Sequence, residues 1–332
     1  MTRLVHDARA LAPSSGGRVV VIGNFEGVHL GHRRVLGRAA ACLAPGGELA
    51  VLTFEPHPAA VLGASAPARL TRLARKVELL GREGVELVVA QTFDGAFAAL
   101  SPEAFVDEVL VRGLGARVVC VGHDFRFGAR RAGDLEALRT LGKTGGFRVE
   151  VQEVVADAKG PLSSTRVRAA LAAGDLDDVD AVLGRPHMLE GVVVAGDKRG
   201  RTIGFPTANL GDVEEALPAH GVYALVADRV PHARAGDRES VGAFARGVAN
   251  VGMRPTVSGG GVHPSVEVHL FDLAETERDL YGDVLRVHLV ARLREERRFP
   301  GLDALRAQIA ADAADARART AGLGRPARGG WF

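Results

Sequence analysis

Residues 18–32, RVVVIGNFEGVHLGH, decide the fold of the first half of the chain. The segment begins with an apolar, β-branched run at 18–22 that is typical of a buried strand, and it ends in a His-x-Gly-His turn. Four similar runs follow, with helix-like segments between them, at residues 49–54, 86–91, 117–121 and 147–154. Strands that are apolar throughout and alternate with helices predict a parallel sheet that is covered on both faces. The first half is therefore predicted to be an α/β domain with a doubly wound, Rossmann-like sheet.

The pattern changes after Gly174. Short strands now recur without helices between them, at residues 190–194, 222–226, 247–251, 265–271 and 284–291. This repetition predicts a small antiparallel β-barrel, and residues 300–318 predict one terminal amphipathic helix. The chain is accordingly divided into a first domain at 1–174, a linker at 175–186, a second domain at 187–320 and a flexible tail at 321–332.

The composition excludes several classes of protein. A chain of 332 residues is too long for one ordinary core, which agrees with two domains. The 42 basic and 40 acidic residues leave a net charge of +2, too small to indicate a nucleic-acid or membrane partner. Cys42 and Cys120 lie far apart in apolar runs and are expected to be free thiols. No apolar stretch reaches the length of a membrane span, so we expect a soluble, cytoplasmic protein whose oligomeric state, a homo-oligomer included, is left open.

The His-x-Gly-His turn joins a predicted strand to a predicted helix. A helix N-terminus presents free N–H groups and the positive end of a dipole, which favour a phosphate group. His29 and His32 are three residues apart and would share one helical face, and Gly31 would let a ligand approach the backbone. Two imidazoles in this position can donate hydrogen bonds to a phosphorus centre as negative charge builds on it. The alternative is two ordinary histidines near a helix start.

Three other polar loops follow predicted strands. Residues 52–58 follow the second strand, residues 121–128 the fourth, and residues 163–168 the fifth. Each alone could be an ordinary loop. Because the carboxyl ends of parallel strands meet at one edge of a sheet, the loops and the His-x-Gly-His turn together predict a ligand site at that edge.

Residues 18–170 resemble the adenylyltransferase domain of bacterial bifunctional riboflavin kinase/FAD synthetases, in the nucleotidylyltransferase superfamily. The resemblance implies an in-line attack of the FMN phosphate on the α-phosphorus of ATP, with His29 and His32 as catalytic donors. It implies nucleotide and phosphate contacts from Gly23, Asn24, Phe25, Gly31, Ser164, Thr165, Arg166 and Arg168. It implies flavin contacts from Pro56, His57, Pro58, Asp124 and Phe125. One departure is Glu26, which replaces the aspartate that the family usually has before Gly-Val-His.

A second group of polar residues lies in the second half. The segment 196–209, GDKRGRTIGFPTAN, combines glycines that can wrap a phosphate with basic side chains. Thr207 and Asn209 offer oxygens that suit Mg²⁺. Glu267 lies on an alternating strand, where a carboxylate can serve as general base towards a hydroxyl. The alternatives are an exposed hairpin loop and a surface glutamate.

Residues 183–317 resemble the riboflavin kinase domain of the same family, through the segments 200–209, 218–223, 250–256 and 267–272. The resemblance implies that Glu267 is the base for the ribityl 5′-hydroxyl and that Thr207 and Asn209 hold Mg²⁺-ATP. It places Arg294 and Phe299 near the flavin. The implied phosphate-binding residues are Gly196, Lys198, Gly200, Arg201 and Gly204.

Together the two resemblances imply a bifunctional enzyme that converts riboflavin to FMN and FMN to FAD, with ATP as co-substrate and Mg²⁺ as cofactor. Flavins are then its substrates and products. A second interpretation, motivated by Glu26, is a riboflavin kinase with weak or absent adenylyltransferase activity. A third is a flavin- or nucleotide-binding regulator without turnover. Another nucleotidylyltransferase substrate, such as pantetheine phosphate, would explain the first half only.

Overall fold

A computed structural model describes residues 2–11, 14, 16–195, 206–230, 242–255, 262–271, 273, 274, 277, 279–324, 326 and 330–332. The chain divides into two compact units, Met1–Ser164 and Thr165–Phe332, called the first and the second unit below. The predicted phosphate-binding residues Gly196, Lys198, Gly200, Arg201 and Gly204 lie outside the described residues.

The first unit contains a six-stranded parallel sheet. Its strands are β1 (Arg3–Val5), β2 (Arg18–Ile22), β3 (Glu48–Glu55), β4 (Leu87–Thr92), β5 (Ala116–Gly122) and β6 (Arg148–Gln152). They are arranged in the order β1-β4-β3-β2-β5-β6, and every neighbouring pair is parallel. Residues 156–157 and 160–161 form the small antiparallel ladder β7–β8. All five strands predicted for this half are present, and β1 adds an edge strand that its three residues were too short to predict.

Helices cover both faces of this sheet. They are α1 (Leu30–Ala40), α2 (Pro58–Val61), α3 (Leu73–Arg82), α4 (Gly95–Ala98), α5 (Pro102–Ala104), which continues into a π-helix at Phe105–Gly113, and α6 (Leu135–Gly145). Short 3₁₀ turns occupy Ala8–Ala10, Glu26–Val28 and Ala129–Arg131. Alternate residues of β2 enter different cores: Val20 packs with the π-helix and α6, and Val19 packs with α1 and α3. The prediction of a doubly wound α/β sheet is confirmed.

The second unit is a closed antiparallel barrel. Its strands are β9 (His187–Val194), β10 (Ala208–Gly211), β11 (Gly221–Val230), β12 (Gly242–Pro255), β13 (Val262–Leu270) and β14 (Val284–Arg294). Their order around the barrel is β10-β13-β12-β11-β14-β9. On β13, Val266 and Val268 are buried, and the half-buried Glu267 and His269 alternate with them on the opposite, outer side. The predicted small barrel is confirmed, although the sequence pattern placed β10 in a loop.

Among the described residues, three helices complete this unit: α7 (Ser164–Ala173), whose first residue belongs to the first unit, α8 (Leu176–Leu183) and α9 (Leu302–Thr320). The terminal helix α9 packs on β11, β12 and β14, which confirms the predicted terminal helix. Within the described part of the chain, no helix has both the length and the apolar character needed to cross a bilayer.

The segment predicted as a linker contains α8. Asp175 caps the helix by accepting a hydrogen bond from the Asp178 backbone N–H, and Gly184 ends it with a left-handed backbone (φ 70°). Leu176 and Val179 are buried. The acidic residues at 175–180 made this segment resemble a polar linker, but it forms a helix with one buried apolar face.

The structure also differs from the predicted flexible tail at its last two residues. Trp331 is only 9% exposed, and its backbone N–H donates to Asp228 Oδ1 at 2.8 Å. The indole N–H donates to the Ala227 carbonyl at 3.2 Å, and the Phe332 ring lies 5.3 Å from that of His288. The buried Trp331 ring and the partly buried Phe332 ring contact β11 and β14, and these contacts offset the entropy lost when the last two residues are fixed.

Candidate active sites

The first unit has a cavity of about 500 Å³ at the carboxyl ends of β2, β5 and β6. This volume is in the usual range for small-molecule sites. Seven predicted site residues line it, namely Gly23, Phe25, His29, Gly31, His32, Asp124 and Phe125. The sheet edge at which the strand pattern predicted a ligand site therefore carries a cavity.

The loop between β2 and α1 has a strained backbone. Phe25 and Val28 both have positive φ, 49° and 39°, and Gly27 between them has φ 78°. A branched residue in this region is an outlier, and each such non-glycine residue costs about 1–3 kcal/mol. The Phe25 ring is buried, and its centroid lies 4.8 Å from that of His32. The loop thus fixes an aromatic ring against one of the two histidines.

His29 and His32 form a stacked pair. His29 precedes α1 as its N-cap, and its Nδ1 accepts a hydrogen bond from the His32 backbone N–H at 3.3 Å. The two ring centroids are 3.6 Å apart and the ring planes differ by 22°. Because Nδ1 of His29 is an acceptor, a neutral ring carries its proton on Nε2. The two imidazoles therefore lie side by side, as their spacing predicted. They do so because His29 caps α1 and stacks on His32, not because both lie on one face of the helix.

Gly31 is required by the protein itself. A Cβ at this position would lie 2.7 Å from the Leu162 carbonyl oxygen and 2.9 Å from His29 Nδ1. A carbonyl oxygen of the backbone cannot move away as a flexible side chain can. The glycine therefore makes room for the capping ring of His29, a reason that the sequence alone did not supply. Close approach of a ligand to Gly31 stays a prediction.

Glu26 faces protein donors. Its Oε2 accepts a hydrogen bond from the Leu70 backbone N–H at 2.7 Å, and its Oε1 accepts one from Lys76 Nζ at 2.9 Å. The Lys76 side chain is only 3% exposed, and it also donates to the Asn24 carbonyl at 2.9 Å. The glutamate is thus part of the packing that holds the loop before His29.

The remaining predicted residues of the first unit lie close to this loop. The Asn24 side-chain amide is 3.1 Å from His57 Nε2, and His57 Nδ1 accepts a hydrogen bond from the Ala59 N–H as the N-cap of α2. Pro56 and Pro58 flank His57 in the chain. The Ser164 hydroxyl donates to the Glu26 carbonyl at 2.8 Å. A contact of these residues with a ligand stays a prediction.

Thr165, Arg166 and Arg168 belong to the second unit. The Arg166 guanidinium donates to both carboxylate oxygens of Asp178, at 2.9 and 2.7 Å, and both side chains are largely buried. A bidentate pair of this kind fixes the guanidinium plane. The role of Thr165, Arg166 and Arg168 as phosphate ligands stays a prediction.

The sequence pattern did not single out Cys120, Gln152 and Leu162, which also line the first cavity. Cys120 and Gln152 lie near the carboxyl ends of β5 and β6. Their position near the predicted binding edge of the sheet could therefore have indicated that they line the site. Burial raises the pKa of the Cys120 thiol to about 12, so the thiol is neutral.

The second unit has a cavity of about 330 Å³ on the outer wall of the barrel beside α9. It is lined by Thr207, Val222, Val248, Asn250, Glu267, His269, Arg294, Glu296, Arg297, Phe299, Leu305, Ile309 and Asp312. Asn209 of β10 pairs with Glu267 of β13, which in turn pairs with Asn250 of β12. Paired residues project to the same side of a sheet, so the three form a polar row. The predicted base and metal residues are therefore adjacent.

The donor set near Glu267 fits Mg²⁺ held with a nucleotide. Thr207 and Asn209 supply neutral oxygens beside the Glu267 carboxylate. Mg²⁺ keeps several waters and substrate oxygens and needs only one or two protein ligands. Among the residues that the structure describes, no cluster of three His, Cys, Asp or Glu could cage a metal without substrate. His269 Nδ1 donates to the Pro206 carbonyl at 2.8 Å, which holds Pro206, the neighbour of Thr207, against β13.

Arg294 and Phe299 lie together at the α9 side of this cavity. Arg294 Nε donates to both carboxylate oxygens of Asp312 at 3.0 Å, and Nη2 donates to Oδ2 at 2.7 Å. The guanidinium carbons of Arg294 and Arg297 lie 5.6 and 5.1 Å from the centroid of the Phe299 ring. Planar groups held in this way offer a stacking surface for an aromatic ligand. Asp312, which the sequence pattern missed, sets the orientation of Arg294.

A glycine also shapes this second cavity. Asn250 Nδ2 donates to Glu296 Oε1 at 3.0 Å, and a Cβ at Gly252 would lie only 2.2 Å from that oxygen. Position 252 on β12 must therefore be a glycine if the Glu296 carboxylate is to reach Asn250. The segment 250–252 resembled the family motif in sequence, and this contact gives part of the physical reason.

Two protein-family models match the chain in series. The FAD synthetase model matches residues 12–166, and the riboflavin kinase model matches residues 183–320. All residues that line the first cavity fall within the first range, and all that line the second cavity fall within the second.

Curated relatives match the chain over nearly its whole length. The bifunctional riboflavin kinase/FMN adenylyltransferases of Escherichia coli (strain K12) and Pseudomonas fluorescens are each 42% identical to it, over 95% and 96% of this chain and 96% and 98% of theirs. That of Bacillus subtilis (strain 168) is 35% identical, over 94% of this chain and 96% of its own.

Among solved structures, one described as a macrolide-efflux protein from Streptococcus pneumoniae superposes with a TM-score of 0.79 and 29% identity. It covers 94% of this chain and 97% of the other. Because both family models match in series, each around its own cavity, and relatives of one kind match over the full length, the chain belongs to the family of bifunctional riboflavin kinase/FMN adenylyltransferases.

Proposed function

We propose that this chain catalyses two successive ATP-dependent reactions, phosphorylation of riboflavin to FMN and adenylylation of FMN to FAD. The observation that carries the proposal is the presence of two separate cavities, one lined by the stacked His29 and His32 and the other by Glu267. We assign the adenylyltransferase to residues 1–174 and the kinase to residues 187–320. The net charge of +2 is too small to indicate a nucleic-acid or membrane partner, which supports small-molecule partners. We place the reactions in the cytoplasm as part of the same proposal.

In the kinase step, Glu267 accepts the proton of the ribityl 5′-hydroxyl as its oxygen attacks the γ-phosphorus of ATP. A bond forms between that oxygen and the γ-phosphorus, and the bond to the β-phosphate oxygen breaks, which releases ADP. Thr207 and Asn209 would hold Mg²⁺, which neutralises charge on the phosphates when it is bound. Arg294, fixed by Asp312, and Phe299 would orient the flavin ring.

In the adenylyltransferase step, an oxygen of the FMN phosphate attacks the α-phosphorus of ATP and pyrophosphate leaves. The protein forms no covalent intermediate, so catalysis depends on positioning and on stabilisation of negative charge. We propose that the Nε2–H of His29 and the ring of His32 donate to phosphate oxygens. Two observations support this role: both residues line the cavity, and the cap fixes the His29 ring. Ser164, Thr165, Arg166 and Arg168 are the proposed phosphate-binding residues.

The decisive experiment is a product assay on the whole chain with riboflavin, ATP and Mg²⁺. Wild-type protein is expected to form FMN and then FAD. His32→Ala should lose FAD formation and retain FMN formation, and Glu267→Gln should lose phosphorylation of riboflavin while FMN supplied directly is still converted to FAD. Either variant acting at the wild-type rate in its assigned step would refute that assignment. Binding of flavin without release of ADP or pyrophosphate would instead indicate a regulator, and FMN without FAD would indicate a kinase alone.

A further inference from the structure

The strained loop, defined as residues 24–28, is held by hydrogen bonds to other residues of the first unit. The Asn24 carbonyl accepts hydrogen bonds from Lys76 Nζ at 2.9 Å and from the Thr53 hydroxyl at 3.2 Å. The Glu26 carboxylate accepts from the same ammonium at 2.9 Å and from the Leu70 N–H at 2.7 Å. A single ammonium group therefore holds two of the loop's five residues.

Lys76 contacts the strained loop and does not contact the cavity. Its side chain is 3% exposed, that of Glu26 is 12% exposed, and Lys76 does not line the cavity. An ammonium is seldom buried to this degree unless it is paired. Loss of either partner would leave the other charge buried, so the two side chains should act as one unit.

The loop needs such a fastening because its backbone is unfavourable. Phe25 and Val28 have left-handed conformations that persist only where the surroundings determine them. Phe25 directly precedes Glu26, Val28 follows Glu26 after Gly27, and His29 comes next in the chain. Phe25 in turn packs its ring 4.8 Å from His32. Relaxation of the loop would therefore move both imidazoles.

We infer that Lys76 is a positioning residue for the adenylyltransferase reaction, acting through Glu26 and the strained loop on His29 and His32. This inference rests on the proposed function of the first cavity. It also explains the glutamate at position 26, since one carboxylate reaches both Leu70 and Lys76.

The test is Lys76→Met, which keeps the length of the side chain and removes its charge and donors. We expect kcat for FAD formation to fall by roughly 10- to 100-fold, the scale for a misplacement of about 1 Å, with little change in KM for FMN or ATP. Formation of FMN by the second unit, measured on the same preparation, should stay at the wild-type rate.

Arg18→Met is the matched control. Arg18 is 3% exposed in the same unit and forms a buried pair with Glu48 at 2.6 Å, but it lies at the amino end of β2, away from the cavity. It should lower thermal stability and leave kcat for FAD formation near the wild-type value. Equal kcat in the Lys76 and Arg18 variants would overturn the inference, as would a rise in KM at constant kcat.

Glu26→Gln and the double variant Glu26→Gln/Lys76→Met complete the cycle and decide the matter if Lys76→Met fails to fold. The single Glu26 variant should show the same loss of kcat, and the double variant should be no slower than the slower single variant. Independent, multiplicative losses would overturn the inference. Absence of FAD formation by wild-type protein would instead refute the proposed function and the inference with it.

Discussion

Replacement of Gly31 by alanine should separate the two activities of this chain. The added Cβ would lie 2.7 Å from the Leu162 carbonyl oxygen, whereas ordinary contact begins at 3.4 Å. Separation by about 0.7 Å is needed, and the backbone carbonyl can supply little of it. The His29 ring, 2.9 Å from the same Cβ, must therefore move and give up its cap on α1. Loss of the cap costs about 1 kcal/mol, and a shift of roughly 0.5 to 0.7 Å should lower kcat by about 10- to 100-fold, because a misplacement of about 1 Å can cost about 100-fold.

The same helix offers the control. Gly37 also lies within α1, and a Cβ there meets nothing within 4 Å. Gly37→Ala should therefore raise stability by up to about 1 kcal/mol and leave catalysis unchanged. The assay compares the rates of pyrophosphate release with FMN and ATP, and of ADP release with riboflavin and ATP, for both variants. If Gly31→Ala makes FAD as fast as Gly37→Ala does, the role given to this glycine is wrong.

Three further predictions concern stability and reactivity. Burial, and then the neighbouring Asp177, raise the pKa of Asp180 to about 7, so the folded state binds this proton more tightly than the unfolded chain and loses stability as pH rises from about 4 through 7. Asp180→Asn should thus melt above the wild type at pH 8, with an advantage that shrinks towards pH 5; a constant difference would contradict this. Trp331→Ala should lower the free energy of unfolding of the second unit by about 3 kcal/mol in urea titrations followed by circular dichroism, and Trp331→Phe by less. At pH 8 iodoacetamide should modify the partly exposed Cys42 before Cys120, whose thiol burial keeps protonated, and earlier labelling of Cys120 in peptide mass spectra would contradict the buried placement.

The architecture could be predicted because it depends on local periodicity. The alternation of β2 between two cores and that of β13 between barrel interior and cavity are visible in the order of Val19 and Val20, and of Glu267 and Val268. The proximity of His29 and His32 could be predicted from their spacing, and their rings are stacked in the structure. Such features need only neighbouring residues, and neighbours are what a sequence displays.

The supporting contacts could not be predicted, because they join distant parts of the chain. Lys76 reads as one basic residue on an amphipathic helix, yet it pairs with a glutamate 50 residues away. Asp312 orients Arg294, which lies 18 residues earlier in the chain, and Trp331 donates to Asp228, which lies 103 residues earlier. Composition indicated a loose tail there because Gly and Arg are frequent in it, and only the fold shows that Trp331 is buried and Phe332 partly buried.

The closed barrel constrains how the kinase half can change during evolution. β13 is hydrogen-bonded to β10 on one side and to β12 on the other, so it cannot slide past one neighbour without losing register with the second. Because side chains alternate, deletion of one residue within β13 would turn Glu267 inward and bring a valine to the cavity. Insertions and deletions in this half are therefore tolerable between strands, whereas within β13 a change by an odd number of residues removes the carboxylate from the cavity.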